Sequence, residues 1–143
     1  MSGYRVLGSG YRKMAETLKS FKDLRVWKQA YELTLAIYRV TKKFPQDELY
    51  GLVSQMKRAS VSVVSNIAEG YSRKGKLEYI QFLSVAYGSL SELETQILLC
   101  KDLKYITEEE FNSLMQLKDV TGGMLYRLIQ KLSPVPRTLN PVP

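Results

Sequence analysis

The residues best able to do chemistry form a polar row between residues 55 and 94. They recur mostly at helical spacing and combine carboxylates, an arginine, amides and a hydroxyl: Gln55, Arg58, Ser62, Asn66, Glu69 and Glu92. Paired carboxylates can do acid–base catalysis. The alternative is a structural hydrogen-bonded network between two helices, because a partly buried arginine–carboxylate pair needs such partners to offset desolvation. We interpret the row as structural and expect no enzymatic activity.

Metal and nucleophile chemistry have little support in the composition. The chain has no histidine, which removes the usual general base and the commonest metal ligand. The single cysteine, Cys100, falls on an apolar helical face, where we expect a small core residue. We therefore predict no metal site and no cofactor.

The absence of any apolar run long enough to span a bilayer predicts that the protein has no membrane partner. No signal-peptide pattern opens the chain. A single cysteine cannot form an internal disulfide and fits a reducing compartment. Together these features indicate a cytoplasmic protein.

Positive charge is unevenly distributed along the chain. The net charge is +7; residues 1–44 hold ten Lys and Arg against three acids, whereas residues 45–143 hold eleven of each. Clustered Lys and Arg supply the sequence-independent part of nucleic-acid affinity, although solubility alone would also explain them. The candidate contacts to RNA or DNA in this first cluster are Arg12, Lys13, Lys19, Lys22, Arg25 and Lys28.

A second basic cluster consists of Arg73, Lys74 and Lys76, in the loop expected between the second and third helices. Gly75 directly precedes the third helix, so this loop could receive a phosphate at the positive end of that helix. It is not a P-loop, because the glycine spacing differs and no strand precedes it. The alternative is an ordinary solvated turn.

Four helices would position these residues. Apolar side chains three and four residues apart predict helices over about 23–43, 77–103 and 108–132, and a second helix that starts between 46 and 49 and ends at about 69. At their ends we expect Asp23 as the N-cap of the first helix, Gly70 as a left-handed C-cap of the second, and Thr107 with Glu110 as a capping box for the fourth. Gly122 and Gly123 inside the fourth helix predict a bend or a close helix contact.

No stretch alternates apolar and polar residues as a strand would. The fold is therefore predicted to be all-α, an antiparallel up-down-up-down four-helix bundle over residues 21–132. Residues 1–20 are predicted to be a flexible basic arm, and residues 133–143, which hold four of the five prolines, an extended Pro-rich tail. The first helix carries two apolar rows, so we expect it to pack on two sides, one of them against a neighbouring subunit.

The region around the polar row also resembles a known family. The resemblance extends from Phe21 to Ile106, and its motifs are Gln55-Met-Lys-Arg58-Ala59, Ser65-Asn66-Ile67-Ala68-Glu69-Gly70, Phe82-Leu83, Gly88-Ser89 and Glu92-Leu93. These motifs are similar to those of the bacterial four-helix-bundle proteins called 23S rRNA intervening-sequence proteins. The resemblance implies a closed ring of identical bundles, typically a homopentamer.

A related branch of these proteins comprises the accessory proteins of diversity-generating retroelements. Those proteins bind a reverse transcriptase and nucleic acid through a basic surface. The resemblance therefore implies self-association, with RNA, DNA or a reverse transcriptase as further partners. The alternative function is a structural scaffold or protein-interaction ring that does not itself bind nucleic acid.

Overall fold

The structure, a computed structural model, describes residues 18–133 and contains no strand in that range. Its four long helices are α1 (Arg25–Thr41), α2 (Ser54–Tyr71), α3 (Lys76–Asp102) and α4 (Glu108–Leu132). The predicted all-α class is confirmed. Residues 1–17 of the predicted arm and 134–143 of the predicted tail lie outside the described residues.

Short turns of tighter or wider helix precede two of these helices. A 3₁₀ turn over Phe21–Asp23 leads into α1, and a 3₁₀ turn over Gln46–Glu48 followed by a π-helical turn over Leu49–Val53 leads into α2. None of the described helices has a run of apolar residues sufficient to cross a bilayer.

The helices surround one apolar core. α2 packs against α1 and α3, and α4 packs against the same two helices. Burying a large aliphatic side chain stabilises a fold by about 1.5–3 kcal/mol, so the apolar face of each helix drives this packing. All four helices contribute fully buried side chains: Leu33, Ile37, Met56, Ile67, Leu83, Leu93, Leu114 and Leu125.

The predicted N-cap role of Asp23 is wrong. Ser20 caps the 3₁₀ turn, and the Asp23 carboxylate closes a capping box by accepting from the backbone N–H of Lys19 (2.8 Å) and Ser20 (3.3 Å). The bond from Lys19 is the main cause that lowers the pKa of Asp23. α1 begins only after Leu24, whose backbone is extended. The Ser-x-x-Asp pattern therefore caps an earlier turn than the apolar spacing suggested.

The predicted start of the second helix is also wrong. The backbone of Gly51 leaves helical geometry (φ −109°, ψ −107°), so the helix expected from about residue 46 is broken before α2 begins at Ser54. The Glu48 carboxylate accepts from the backbone N–H of Leu52 at 3.2 Å and satisfies one of the amides exposed at the break.

Gly70 is not a C-cap. α2 continues to Tyr71, and no described glycine has a positive φ. A Cβ placed on Gly70 would lie 2.9 Å from Cβ of Phe82, which is closer than real Cβ atoms approach, and 3.0 Å from Cδ1 of Tyr79, which is tighter than most real contacts. Glycine at this position therefore lets α2 and α3 approach closely, rather than letting the chain reverse.

The start and middle of α4 are as predicted. Thr107 Oγ1 accepts from the Glu110 N–H at 3.1 Å, and the Glu110 carboxylate accepts from the Thr107 N–H at 2.9 Å. The helix runs without interruption through Gly122, where a Cβ would lie 3.3 Å from Leu90 of α3. Of the two expectations for this glycine, the close helix contact is the one observed.

Candidate nucleic-acid interface

Members of the polar row bond to one another only in its middle, whereas Glu69 near the end of α2 accepts from Arg73. The Asn66 side-chain amide donates to the carbonyl oxygen of Ser62 at 2.8 Å and to its hydroxyl at 3.1 Å. The Ser62 hydroxyl lies 2.7 Å from that of Ser89 on α3. These half-buried groups form a small polar seam between the two helices, which suits the structural interpretation of Ser62 and Asn66.

Three other members of the predicted row are separate from this seam. Gln55, Arg58 and Glu92 are exposed, and within residues 18–133 their side chains make no hydrogen bond or ion pair. The described part of the chain also has no group of three or more potential metal ligands among its His, Cys, Asp and Glu side chains. The row therefore does not assemble into one constellation of polar groups.

Cys100 lies in the core, as predicted. It is fully buried, and its Sγ lies 3.4 Å from Sδ of Met56. Burial, helped by the charge of Glu48, raises the pKa of the Cys100 thiol to about 12. A thiol is nucleophilic as its thiolate, so this side chain is an inert packing residue at neutral pH.

The first basic cluster surrounds the start of α1. Arg12 and Lys13 lie outside the described residues. The other four cations of this cluster form no ion pair with a carboxylate among the described residues. Their positive charge is therefore not neutralised and can attract a polyanion. All four are exposed: Lys19, Lys22, Arg25 and Lys28.

The end of α4 adds two cations that the sequence reasoning missed. Arg127 and Lys131 are exposed, and they line a cleft of about 520 Å³ that they share with Arg25. They sit about one hundred residues away from Arg25 in sequence, in the half of the chain whose charges balance. They belong with Arg25 because the end of α4 lies beside the start of α1, and the spacing of residues in the sequence does not show this.

The second basic cluster is partly neutralised by its neighbours. Arg73 forms an ion pair with Glu69 at 2.7 Å, and its guanidinium lies over the Phe82 ring, 4.8 Å from the ring centre. Lys74 is exposed and Lys76 half-buried, and neither pairs with a carboxylate among the described residues. Lys74 and Lys76 are therefore the cations of this loop that are available to a phosphate.

Three segments account for the net positive charge of the described chain. Residues 18–28, 69–79 and 127–133 contain nine Lys and Arg against three acids, whereas the other described residues contain eight against ten. We call these three segments the basic segments. They combine both predicted clusters with the two cations of α4.

Comparisons with known proteins agree with this fold. A similar solved structure is the 1.70 Å crystal structure of a protein with unknown function from the S23 ribosomal protein family of Bacteroides thetaiotaomicron VPI-5482. The two share 22% sequence identity and a TM-score of 0.68 over 73% of this chain and 95% of that one, which shows a common fold. No curated protein matches the chain. The family described as 23S rRNA-intervening sequence protein matches residues 22–127, and the chain therefore belongs to that family.

Proposed function

We propose that this protein is a non-enzymatic nucleic-acid-binding protein whose basic segments meet at one end of the bundle and bind phosphates. We call this surface the basic end. The observation that carries the proposal is the separation of charge, a net +6 in the basic segments against −2 in the other described residues. A concentrated field of this kind attracts polyanions and provides sequence-independent affinity.

The proposal requires an up-down-up-down bundle, and contacts between α1 and α2 support that arrangement. The Thr34 hydroxyl donates to the Ser60 carbonyl at 3.1 Å, and Lys57 lies over the Tyr38 ring at 4.8 Å. As the residue number rises on α1 it falls on α2, which is the pattern of antiparallel helices. Extending this register from Thr34 by nine residues puts Arg25 level with Glu69, beside the second basic cluster.

The other helix pairs support the same alternation. In each pair, earlier residues of one helix meet later residues of the next: Met56 with Cys100 and Ser62 with Ser89 for α2 and α3, and Leu90 with Gly122 and Glu94 with Lys118 for α3 and α4. Lys43 beyond the end of α1 pairs with Glu110 at the start of α4, while Arg25 shares its cleft with Arg127. All three basic segments then fall at the same end.

Phosphate binding predicts a definite salt dependence. Each phosphate neutralised on a single strand contributes about −0.7 to the slope of log affinity against log salt, so six contacts would give a slope of about −4. This slope can be measured by fluorescence anisotropy with a labelled single-stranded RNA. The measurement is repeated between roughly 50 and 500 mM salt, a range over which salt increasingly screens the attraction between charges. Binding that salt does not weaken would contradict the proposal.

Two matched triple variants test the location of the site. Lys22→Gln, Arg25→Gln and Lys131→Gln remove three charges from the basic end. The control variant removes three exposed charges elsewhere, through Arg39→Gln, Lys42→Gln and Arg58→Gln. The first variant should make the slope shallower, from about −4 to about −2, because three phosphate contacts are lost. Binding at 0.1 M salt should then weaken roughly 100-fold. Equal weakening by both variants would show that only net charge matters and would refute a localised site.

We also propose that the protein assembles into a ring, with the number five taken from the resemblance to the intervening-sequence proteins. α1 and α3 each pack against α2 and α4, so they occupy opposite corners of the bundle. Both have exposed apolar side chains on their outer faces: Tyr31, Leu35 and Tyr38 on α1, and Leu77, Val85 and Leu99 on α3, with Leu103 directly after it. Two different apolar faces on opposite sides suit a head-to-tail contact, which can close into a ring.

Light scattering coupled to size-exclusion chromatography tests the ring. A mass near five chains is expected for the wild type, and Val85→Glu with Leu99→Glu should reduce it to a monomer. Tyr50→Glu is the control, because Tyr50 is 91% exposed and belongs to neither face. A monomeric wild-type protein would refute the assembly.

The same apolar faces favour a second candidate function, a scaffold ring that binds another protein such as a reverse transcriptase. In this case the basic end serves only solubility. Recording the 260/280 nm absorbance ratio across the same chromatographic peak distinguishes the two functions. Nucleic acid that is carried at low salt and stripped at high salt supports binding, whereas an oligomer free of nucleic acid at every salt concentration supports the scaffold.

A further inference from the structure

We propose that the cleft between the start of α1 and the end of α4 receives unpaired nucleobases, so that the protein prefers single-stranded nucleic acid to duplex. We call it the α1–α4 cleft. This inference rests on the proposed binding of phosphates at the basic end. It adds a contact to the bases, which phosphate binding alone does not require.

The floor of the α1–α4 cleft is apolar. Its volume is about 520 Å³, which is within the usual range for small-molecule sites. The faces of nucleobases are largely apolar, and burying them against such side chains removes both surfaces from water. The floor is lined by Leu18, Leu24, Val26, Met124 and Leu128.

The rim of the cleft is cationic. Arg25 and Arg127 present guanidinium groups, which stack on base faces as well as pairing with phosphates, and Lys131 adds a third positive charge. None of the three forms an ion pair with a carboxylate among the described residues. The acid on the rim, Asp23, is bonded to two backbone N–H groups of the 3₁₀ turn. The rim is therefore suited to a ligand that is apolar in its body and anionic at its edge.

A nucleotide strand meets this description better than another amphiphilic anion such as a fatty acid. A fatty acid carries one charge, whereas the basic segments around the cleft hold a net +6. Lys19 and Lys22 are exposed just before the start of α1, where they can bind the phosphates on either side of an inserted base. A single strand supplies several phosphates and a free base together.

Duplex nucleic acid cannot use the cleft in the same way. Its base faces are stacked on one another, and extruding a paired base costs a few kcal/mol. Its phosphates remain available to the basic end. Duplex binding should therefore retain the salt dependence of phosphate contacts but lack the contribution of the bases.

The test compares three labelled probes by fluorescence anisotropy with the full chain over the same series of salt concentrations: a 12-nucleotide oligouridine, a 12-nucleotide strand of abasic residues, and a 12-base-pair duplex. Stacking on side chains contributes about 1–3 kcal/mol per base, which corresponds to roughly 5- to 150-fold in affinity. The abasic strand should bind weaker than oligouridine by this factor, although both carry the same phosphates. The duplex should also bind more weakly than oligouridine, despite its higher charge density.

Substitutions in the cleft provide a second test. Met124→Trp puts a larger side chain into the cleft and should reduce oligouridine binding to the abasic level while leaving abasic binding unchanged. Met115→Trp is the matched control, since Met115 is also a half-buried methionine of α4 but does not line the cleft. Arg127→Lys keeps the charge and removes the guanidinium plane, so it should lower the preference for oligouridine over the abasic strand without changing the salt slope. This conservative variant keeps the test decisive if Met124→Trp fails to fold.

The outcomes separate this inference from the function on which it rests. If the abasic strand binds as tightly as oligouridine and with the same salt slope, phosphate binding stands and the role of the cleft is refuted. If no probe binds at low salt, both proposals fail. If purified protein releases a fatty acid that competes with oligouridine for the cleft, the cleft belongs to that ligand and the inference is also overturned.

Discussion

Replacing Gly70 with alanine should destabilise the protein, although alanine is the better helix former. Gly70 is the penultimate residue of α2 and has a helical backbone, where Gly→Ala ordinarily stabilises a helix by up to about 1 kcal/mol. Here the new Cβ would lie 2.9 Å from Cβ of Phe82, 3.0 Å from Cδ1 of Tyr79 and 3.3 Å from the Tyr79 carbonyl oxygen. Packing and helix propensity therefore act in opposite directions at this residue.

The packing term should exceed the propensity term. The Phe82 Cβ and the Tyr79 carbonyl belong to the frame of α3, so they cannot rotate away and the two helices must separate. Forcing extra atoms into a tight contact typically costs about 1–3 kcal/mol, and a Cβ–Cβ approach this short belongs at the upper end. After subtracting the helix-propensity gain of about 1 kcal/mol, we expect a net loss of roughly 2 kcal/mol in the free energy of unfolding.

Urea unfolding followed by circular dichroism at a fixed protein concentration measures this loss. Gly123→Ala is the matched control, because Gly123 is also inside a helix but its Cβ would meet only the flexible end of Arg127, at 3.5 Å. The control should gain about 1 kcal/mol. Gly70→Asn should lose at least as much as Gly70→Ala, whereas a left-handed C-cap would tolerate asparagine. A Gly70→Ala protein as stable as the wild type would refute the close approach of α2 and α3.

Three further predictions concern single side chains. Thr107→Ala removes the cap of α4 and should cost about 1 kcal/mol in urea unfolding, and an unchanged midpoint would contradict the cap. Because burial raises the pKa of Cys100 to about 12, a thiol reagent at pH 8 should modify the native protein far more slowly than the urea-unfolded protein, and equal rates would show that the thiol is accessible. The Tyr105 hydroxyl donates to the Glu48 carboxylate at 2.9 Å, and this bond raises the pKa of Tyr105 above its usual range. The contribution of this hydrogen bond to stability is therefore present below the unfolded pKa of about 10 and is lost as the pH rises through the raised pKa. The melting temperatures of the wild type and Tyr105→Phe should thus differ at pH 8 and converge at higher pH.

The helices could be predicted from sequence because the burial of apolar side chains sets both the spacing of these residues along each helix and the face that the helix turns toward the core. Residues such as Leu33 and Ile37, one turn apart, are both fully buried, so the apolar spacing reports the core directly. The start of α4 could be predicted equally well, because Thr107 and Glu110 bond to each other's backbone and need no partner from the rest of the fold. At the start of α4 the local signal was therefore sufficient.

The predictions failed where one residue type has two uses. Glycine ends helices, but it also allows two helices to touch, and only the position of Phe82 decides between these uses for Gly70. Asp23 is a good N-cap residue, but Ser20 three residues earlier offered an equally good cap for a different turn. In both cases the deciding partner was either on another helix or one turn outside the expected element.

The charge pattern was concealed for a different reason. The charges of residues 45–143 sum to zero, but this sum combines segments with a net positive charge and segments with a net negative charge. Segments 69–79 and 127–133 hold five Lys and Arg against two acids, and the rest of the described residues from 45 onward hold five against nine. In an up-down bundle, segments that are far apart in sequence alternate between two ends, so a sum over a long stretch mixes both ends and cancels them. In the proposed arrangement, counting charge by bundle end instead of by chain half adds Arg127 and Lys131 to the proposed interface, and substituting them tests that proposal.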